Sequence, residues 1–294
     1  MQRFTVPTPD SVREALSLPR NTEDHFQLFD SPGELADYGQ ANALEHLVAQ
    51  ENRGPRGCWS GGLSTADACR TAREGDLSAV AASDALLSKF ERFAFETGRK
   101  AWLDDVTGAI PNVPAFIAGH PLAMRRRVRQ DSASAPLAII VDVTTSSRVS
   151  ARDIQRRGAA ILALVRILST RRPIELWAGT MLDADNRRSA VHTFARIETS
   201  PLDLATACFA LVHPAFSRHL CYGLARLHGF AGGWPYGAHA RHRPHMAAIL
   251  APAFTHATQT LCLPPLHAAD QSCTNPEAWL EQRLAELSPV DLAA

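Results

Sequence analysis

The stretch from residue 135 to residue 180 constrains the fold more strongly than any other part of the sequence. Residues 137–143, LAIIVDV, are apolar except for Asp142, as expected for a strand that is buried on both faces of a parallel sheet. A helical pattern follows, and residues 174–177 form a second apolar run. About 30 residues with one helix separate the two runs, which is a suitable length for a right-handed crossover. The stretch therefore predicts a parallel strand–helix–strand unit.

Composition restricts the possible functions. The 294 residues carry a formal net charge of zero and are 46% hydrophobic, so the chain can bury a large core and has no overall attraction for polyanions. We expect no membrane association, because no apolar run approaches the roughly 20 residues of a spanning helix and the N-terminus lacks a signal pattern. The six cysteines form no C-x-x-C pair, which favours buried free thiols in a reducing compartment. We expect a cytoplasmic protein, in the host cytoplasm if the source is viral.

The sequence divides into two parts near residue 134. Residues 1–134 are predicted to be mainly helical, with helices at about 31–50, 65–75 and 77–97 that begin at capping residues or carry apolar faces. Residues 135–294 are predicted to form an α/β domain. The connecting segment is polar and rich in small residues.

Two more strands are expected in the α/β part. Residues 190–197 alternate between two sets of side chains, which predicts a third strand, antiparallel and at an edge of the sheet. Residues 260–266 form the last strand candidate, and Pro264 and Pro265 make it a poor central strand.

The polar residues at the end of the first apolar run resemble a motif of a known protein family. Asp142-x-Thr144-x-Ser146 resembles the Asp-x-Ser-x-Ser/Thr core of von Willebrand factor A domains, and the order of elements over about 135–290 is similar too. The resemblance implies a von Willebrand A-like, Rossmann-like fold, in which helices flank a mostly parallel sheet. Such sheets bind ligands at the carboxyl ends of their strands.

The same resemblance implies a divalent cation, Mg²⁺ or the related Mn²⁺ or Ca²⁺, because hard cations prefer oxygen ligands. Thr144 and Ser146 would be hydroxyl ligands, and Asp142 would act directly or through water. The family adds a threonine from a second loop, for which Thr199 or Ser200 lies in the matching place. It also adds a late aspartate, for which Asp270 fits by order although the family's T-D-G pattern is absent.

A structural alternative explains the same motif without a metal. Asp142, Thr144 and Ser146 could cap the helix that follows them and satisfy the amides of the loop. The sequence leaves both interpretations open.

A dense basic run occupies residues 124–130 and contains Arg125, Arg126, Arg127 and Arg129. One interpretation is a contact with phosphate groups or nucleic acid. The other, which we favour, is an edge strand with a solvated charged face, or arginines paired with nearby Asp104, Asp105 and Asp131.

A second resemblance covers most of the chain. The stretches SPGELADYG, CWSGGLSTADACRTAREGD and GAIPNVPAFIAGHPLAMRRR are similar to those of uncharacterised proteins that are common in tailed-bacteriophage genomes. This resemblance implies phage origin and carries no activity with it.

Together these features favour a non-enzymatic protein that binds a protein partner, with or without a cation at Asp142, Thr144 and Ser146. By the von Willebrand A resemblance, the partner could be a ring ATPase of the AAA+ class that this chain serves as an adaptor. One alternative is a virion structural or assembly protein. Another is a nucleic-acid-processing or hydrolytic enzyme that uses the carboxyl-edge cleft with the arginines of the basic run. The oligomeric state is left open.

Overall fold

The structure is a computed structural model of the full chain. It describes residues 1–44, 60–89, 100–129, 136–145, 149–169, 172–183, 189–228, 243–255, 259–267 and 270–286. Ser146 of the predicted cation site lies outside these ranges.

A six-stranded sheet forms the centre of the molecule, and a separate three-stranded sheet accompanies it. The strands are β1 (Gln2–Pro7), β2 (Glu23–Phe29), β3 (Lys100–Asp105), β4 (Ile110–Pro111), β5 (Met124–Arg129), β6 (Leu137–Asp142), β7 (Ile174–Asp183), β8 (Ser189–Ile197) and β9 (Gln259–Leu263). The order in the large sheet is β1-β2-β8-β7-β6-β9, and the order in the small sheet is β3-β5-β4.

The large sheet is mostly parallel, as predicted. β6 pairs in parallel with β7 and with β9, and β2 pairs in parallel with β8, while β1–β2 and β7–β8 are antiparallel. The parallel β6–β7 unit confirms the expected crossover. β9 is an edge strand, in agreement with the two prolines that follow it.

One prediction about a strand was wrong, and several strands were not expected. β8 is antiparallel to β7 as expected, but it is not an edge strand, because β2 pairs with its other side along seven residues. The part before residue 134 also supplies strands that the sequence did not indicate, namely β1 and β2 of the large sheet, and it contains all of the small sheet. Strand β2 begins with charged residues, so its sequence does not show a strand pattern. Its burial results from β8 and the helices that pack around it.

Helices cover both faces of the large sheet. They are α1 (Asp10–Leu16), α2 (Pro32–Ala41), α3 (Thr65–Glu74), α4 (Val80–Lys89), α5 (Val113–Ile117), α6 (Ala151–Ser169), α7 (Leu204–Val212), a π-helical turn (Phe216–Cys221) that continues into α8 (Tyr222–Leu227), a 3₁₀ turn (Arg243–His245) before α9 (Met246–Leu250), α10 (Gln271–Thr274) and α11 (Pro276–Glu286).

The strand β6 lies at the centre of the core. All six of its residues are buried, and they alternate between two apolar clusters. Ile139 and Val141 pack with α6, α7 and α11 on one face, whereas Ile140 packs with Trp177 and with α9 on the other. The continuous apolar run of the sequence is thus explained by cover on both faces.

Side-chain caps mark the starts of several helices. The side chains of Ser31 and Ser64 accept hydrogen bonds from the backbone amides of Glu34 and Asp67 at the starts of α2 and α3. Ser150 accepts one from Asp153 at the start of α6, at 3.2 Å. Each of these caps is a local feature, because it bonds an amide only three residues away.

The cysteines and the lengths of the helices also bear on the expectations from sequence. Five of the six cysteines are described; all five are free, and all but the partly exposed Cys262 are buried. Among the described helices, none combines the length and the apolar character needed to cross a membrane.

Close packing of α6 on α7 generates a prediction about Gly158. An added Cβ at Gly158 would lie 2.4 Å from the carbonyl oxygen of Leu211 and 2.7 Å from the Cα of Val212. We therefore expect Gly158→Ala to lower the free energy of unfolding by about 1–3 kcal/mol, as overpacking does. Urea denaturation measures this change. Gly33→Ala in α2 is the control, because the nearest atoms there are 3.6 Å away; equal effects of the two changes would contradict the close contact.

Candidate functional site

Asp142 and the residues after it form a buried polar site at the carboxyl edge of β6. Asp142 pairs with Gly179 in the sheet, and β7 continues past it to Asp183. The amide of Val143 donates to the carbonyl oxygen of Gly179 at 2.7 Å, so the chain leaves β6 while still held against β7. Asp142 and Thr144 are completely buried.

The first residues of this loop are fixed from two sides. The amide of Thr144 donates to Oδ1 of Asp142 at 2.8 Å. The amide of Leu266, just beyond β9, donates to the carbonyl oxygen of Thr144 at 3.0 Å, and Thr145 forms a parallel bridge with Leu266. Asp142 therefore satisfies a loop amide, which is one half of the structural alternative.

The other half of that alternative, capping of α6, does not hold for Asp142 and Thr144. The cap is Ser150, whose hydroxyl also donates to Asp153 at 2.7 Å. α6 begins at Ala151, and the residue that caps its first turn is Ser150 rather than Asp142 or Thr144.

Two hydroxyl groups of the site are buried without a hydrogen-bond partner among the described residues. They are the Oγ1 atoms of Thr144 and Thr145. A buried hydroxyl without a partner destabilises a fold by about 1–3 kcal/mol, so each of these groups requires an explanation. Chemically, such oxygens could accept a hydrogen bond from water or ligate a hard cation.

A clamp of two side chains, Arg218 and Tyr222, holds the loop at both ends. Buried Arg218 donates to the carbonyl oxygen of Val149 at 3.1 Å, and the Tyr222 hydroxyl donates to the carbonyl oxygen of Thr145 at 3.3 Å. Burial raises the pKa of Tyr222, and the charge of nearby Asp142 raises it further. The phenol is therefore protonated at neutral pH and acts as a donor. Both residues belong to the π-helical turn or its continuation, a type of helix that is common at functional sites.

Sequence reasoning missed this clamp. The sequence signal for it is Pro214, which interrupts the long apolar segment 202–230. A proline there indicates an irregular helix, but it does not indicate which part of the chain that helix contacts.

Thr199 and Ser200 do not join Asp142, contrary to the prediction. The Thr199 hydroxyl donates to the carbonyl oxygen of Ile174, which is the first residue of β7. Thr199 therefore lies at the amino edge of β7, whereas Asp142 pairs with Gly179, five residues further along the same strand. The reason is that β8 is antiparallel to β7, so the loop after β8 returns to the opposite edge of the sheet.

Asp270, the last predicted ligand, caps a helix. Its side chain caps α10, accepting from the amide of Ser272 at 3.0 Å and from the Ser272 hydroxyl at 2.8 Å. It lies in a polar cleft of about 430 Å³, which Arg157 and Trp279 also line. Within the described ranges, no group of three or more His, Cys, Asp or Glu side chains is arranged to hold a metal ion. Because Thr199 lies at the opposite edge of the sheet, it does not join the predicted ligands. Asp142 and Thr144 are together, and the place of Ser146 stays a prediction.

The basic run forms strand β5 of the small sheet. Arg125 is paired with Asp104 at 3.0 Å, and Arg126 with Asp105 at 2.6 Å, which confirms the ion pairing that we favoured for these two arginines. The edge position was wrong, since β5 lies between β3 and β4. Arg127 and Arg129 pair in register with Trp102 and Lys100, and their side chains lie outside the described part of the structure.

The segment between β3 and β5 carries exposed apolar side chains that sequence reasoning missed. Six large hydrophobic side chains of the segment 106–122 are exposed, and Phe116 and Ile117 of α5 keep 74% and 79% of their area accessible. We call this set the apolar surface: Val106, Ile110, Val113, Phe116, Ile117 and Leu122. A concentration of exposed apolar side chains in one short segment is typical of an interaction site. The available signal was a run of large hydrophobic residues without period between prolines and glycines.

One comparison with known proteins identifies a family. The family model described as a domain of unknown function, DUF7192, matches residues 14–281. The chain belongs to the DUF7192 family. The match spans both sides of residue 134, so this family includes the strands β3–β5 as well as the α/β part. No curated protein and no solved structure matches the chain.

The site generates a prediction about stability in the absence of ligands. We expect Thr144→Val to leave the free energy of unfolding unchanged or to raise it by about 1 kcal/mol, because it removes a buried hydroxyl without a described partner. Asp142→Ala should lower it by about 1–3 kcal/mol, since the buried amide of Thr144 loses its acceptor. Urea denaturation in a chelating buffer measures both changes.

The control for Thr144→Val is Thr193→Val. Thr193 is equally buried, but its hydroxyl donates to Gln27 at 3.3 Å, so the valine should destabilise the protein. Equal destabilisation by the two valines would mean that the Thr144 hydroxyl has a partner after all.

Proposed function

We propose that this protein is a non-enzymatic binding protein that attaches to a partner protein through the apolar surface. The observation that supports this function is the set of six exposed hydrophobic side chains in the short segment 106–122. Burying such side chains in an interface is favourable by roughly 25 cal/mol per Å² of apolar area removed from water. The polar site at Asp142 is too deeply buried to offer a comparable contact area.

The charges around the apolar surface favour a different protein over a second copy of this chain. Residues 100–129 contain five Lys and Arg but only two Asp and no Glu, whereas the whole chain is neutral. A symmetric dimer would bring this cationic segment against itself, which is unfavourable. We therefore propose a partner with an apolar contact patch and an acidic rim.

The von Willebrand A resemblance extends the proposal to an adaptor role. Its support is the order of elements from β6 to β9 and the position of Asp142 and Thr144 at the carboxyl edge of a central strand. Under this proposal the fold is von Willebrand A-like, the partner is a ring ATPase of the AAA+ class or a virion protein, and the source is a tailed bacteriophage.

The test compares two variants for binding of an identified partner. Phe116→Ser/Ile117→Ser should leave the free energy of unfolding nearly unchanged, because both side chains are exposed, but should weaken binding at least tenfold. Leu77→Ser is the control, since Leu77 is 62% exposed and lies outside the apolar surface. A partner captured from infected cells by the wild type is purified, and its affinity for all three proteins is measured by calorimetry.

Three results would contradict this function. The double variant could bind the partner as tightly as the wild type does. The apolar surface could be protected from hydrogen exchange only at high protein concentration without a partner, which would indicate self-association. Binding of the wild type, but not of the double variant, to vesicles of phosphatidylserine would indicate a membrane contact.

A cation at the carboxyl edge is a separate part of the proposal and has its own test. If Asp142, Thr144 and Ser146 bind Mg²⁺ or Mn²⁺, millimolar concentrations of the ion should raise the melting temperature, because a ligand of the folded state stabilises it. The rise should persist in Asp270→Ala, whose carboxylate caps α10, and should disappear in Asp142→Ala. A wild type that does not respond to either ion would exclude the cation while leaving the binding surface untouched.

A further inference from the structure

His213 lies at the junction between α7 and the π-helical turn, and its ring caps the helical segment 214–227, which contains this turn and α8. Its Nδ1 accepts a hydrogen bond from the backbone amide of Ala215 at 3.1 Å. Because a backbone amide nitrogen only donates, Nδ1 carries no proton, and the proton of the neutral ring is on Nε2. His213 therefore satisfies an amide of the first helical turn, as a side-chain cap does.

Protonation of His213 would remove this cap. The added proton would be on Nδ1, which would then face the N–H group of Ala215 instead of accepting from it. The positive end of the helix dipole also disfavours a cation at this position. Burial lowers the pKa of His213, and the charge of Asp76 opposes this shift without cancelling it. The start of the helix thus requires the neutral ring.

His219 lies within the π-helical turn and is completely buried. Its Nε2 lies 3.0 Å from the carbonyl oxygen of Leu63, and because a carbonyl oxygen only accepts, Nε2 carries the proton. Its Nδ1 lies 3.2 Å from Oγ1 of Thr65. Burial lowers the pKa of His219, the hydrogen bond to Leu63 opposes this shift, and the charge of His213 adds to it. Both rings are therefore held in the neutral form.

The two rings connect the segment 60–65 to the helical segment 214–227. A Cβ added at Gly61 would lie 3.0 Å from Cε1 of His213, so the backbone of this segment packs directly against the ring. Leu63 and Thr65 contact His219, and α3 begins at Thr65. The helical segment also carries the clamp, which holds the loop after β6. Disturbing the two rings would therefore affect the segment 60–65 and the clamp together.

The elements that pack around the rings provide little charge to stabilise protonated histidines. The segment 60–65 has no titratable side chain, and burial raises the pKa of the Cys208 thiol of α7 to about 11, so this thiol is neutral. The charged side chains of α3 form ion pairs at the surface, namely Asp67 with Arg70, Glu74 with Arg70, and Arg73 with Asp37 of α2. Asp76 is the carboxylate that acts on His213.

We propose that His213 and His219 form an acid-sensitive latch, which holds the segment 60–65 and the clamp in place at neutral pH and releases them in acid. An ordinary histidine has a pKa of 6.5, and in the closed state the pKa of each ring is lower. The stabilisation of the closed state is therefore fully present above pH 6.5 and is lost as the pH falls below it. At pH 5.5, each histidine favours opening by up to about tenfold. Opening would expose the polar site at Asp142, so the latch makes access to that site depend on pH.

Amide hydrogen exchange of the full chain at pH 7.5 and pH 5.5 tests the latch. Each exchange rate is divided by the intrinsic chemical rate at the same pH, so that the ratio reports structural opening. We expect the amides of 60–68 and 214–222 to open about tenfold more often at pH 5.5. The amides of the buried strand β6 are the internal reference and should respond much less.

Two variants separate the latch from a general effect of acid. In His213→Asn, the carboxamide oxygen can accept from the amide of Ala215 but does not titrate, so the acid response should fall by about threefold or more. His120→Asn is the matched control. Nδ1 of His120 accepts from the amide of Leu122 at 3.2 Å in the same two-residue arrangement, but His120 is exposed. This control should leave the acid response unchanged.

Several results would overturn the latch. The acid response could be equal in the wild type and in His213→Asn, or could fall as much in His120→Asn. An equal response of the β6 amides would indicate global loss of stability instead of local release. If His213→Asn does not fold, carbon–proton NMR of the wild-type histidine rings decides: a His213 midpoint below pH 6.5 supports the latch, and one at or above 6.5 overturns it. None of these measurements involves a partner, so they are independent of the apolar surface.

Discussion

The complete burial of β6 is the constraint on which the rest of the structure depends. β6 has β7 at one edge and β9 at the other, and helices cover both of its faces. A strand in this position has no surface left for polar groups except at its ends. Its one ionisable residue, Asp142, is accordingly its last residue, and its carboxylate satisfies the first loop amide that leaves the sheet.

The same burial concentrates polar chemistry at the carboxyl edge and restricts access to it. Thr144 and Thr145 are enclosed between β7, the segment after β9 and the clamp of Arg218 and Tyr222. Such an enclosed site suits an ion or a water molecule. Contact with a macromolecule needs exposed area, which the small sheet provides through the apolar surface. We therefore propose that these two tasks belong to different parts of the chain.

Strand direction decides which loops can act together. β8 runs antiparallel to β7 and returns the chain to the amino edge, so Thr199 bonds the first residue of β7 instead of approaching Asp142. The addition of β2 and β1 beyond β8 then creates a new outer edge, where Arg3 and His25 meet His228 from a distant part of the sequence.

Local features of the fold could be derived from the sequence. The buried strand β6, the crossover to β7, the caps at Ser31, Ser64 and Ser150, and the ion pairing of Arg125 and Arg126 all followed from patterns a few residues long or from nearby opposite charges. These features are determined locally, because hydrophobic periodicity and capping depend on neighbours within one turn or one strand.

The tertiary structure alone decided how these pieces combine. It placed β2 beside β8, separated Thr199 from Asp142, brought Arg218 and Tyr222 to the loop after β6, and left Phe116 and Ile117 exposed. Each of these outcomes depends on which distant segments pack together. A short hydrophobic run has the same sequence pattern whether or not another segment covers it in the folded protein. The sequence therefore determined the helices and strands, and tertiary packing determined which of their surfaces stayed exposed.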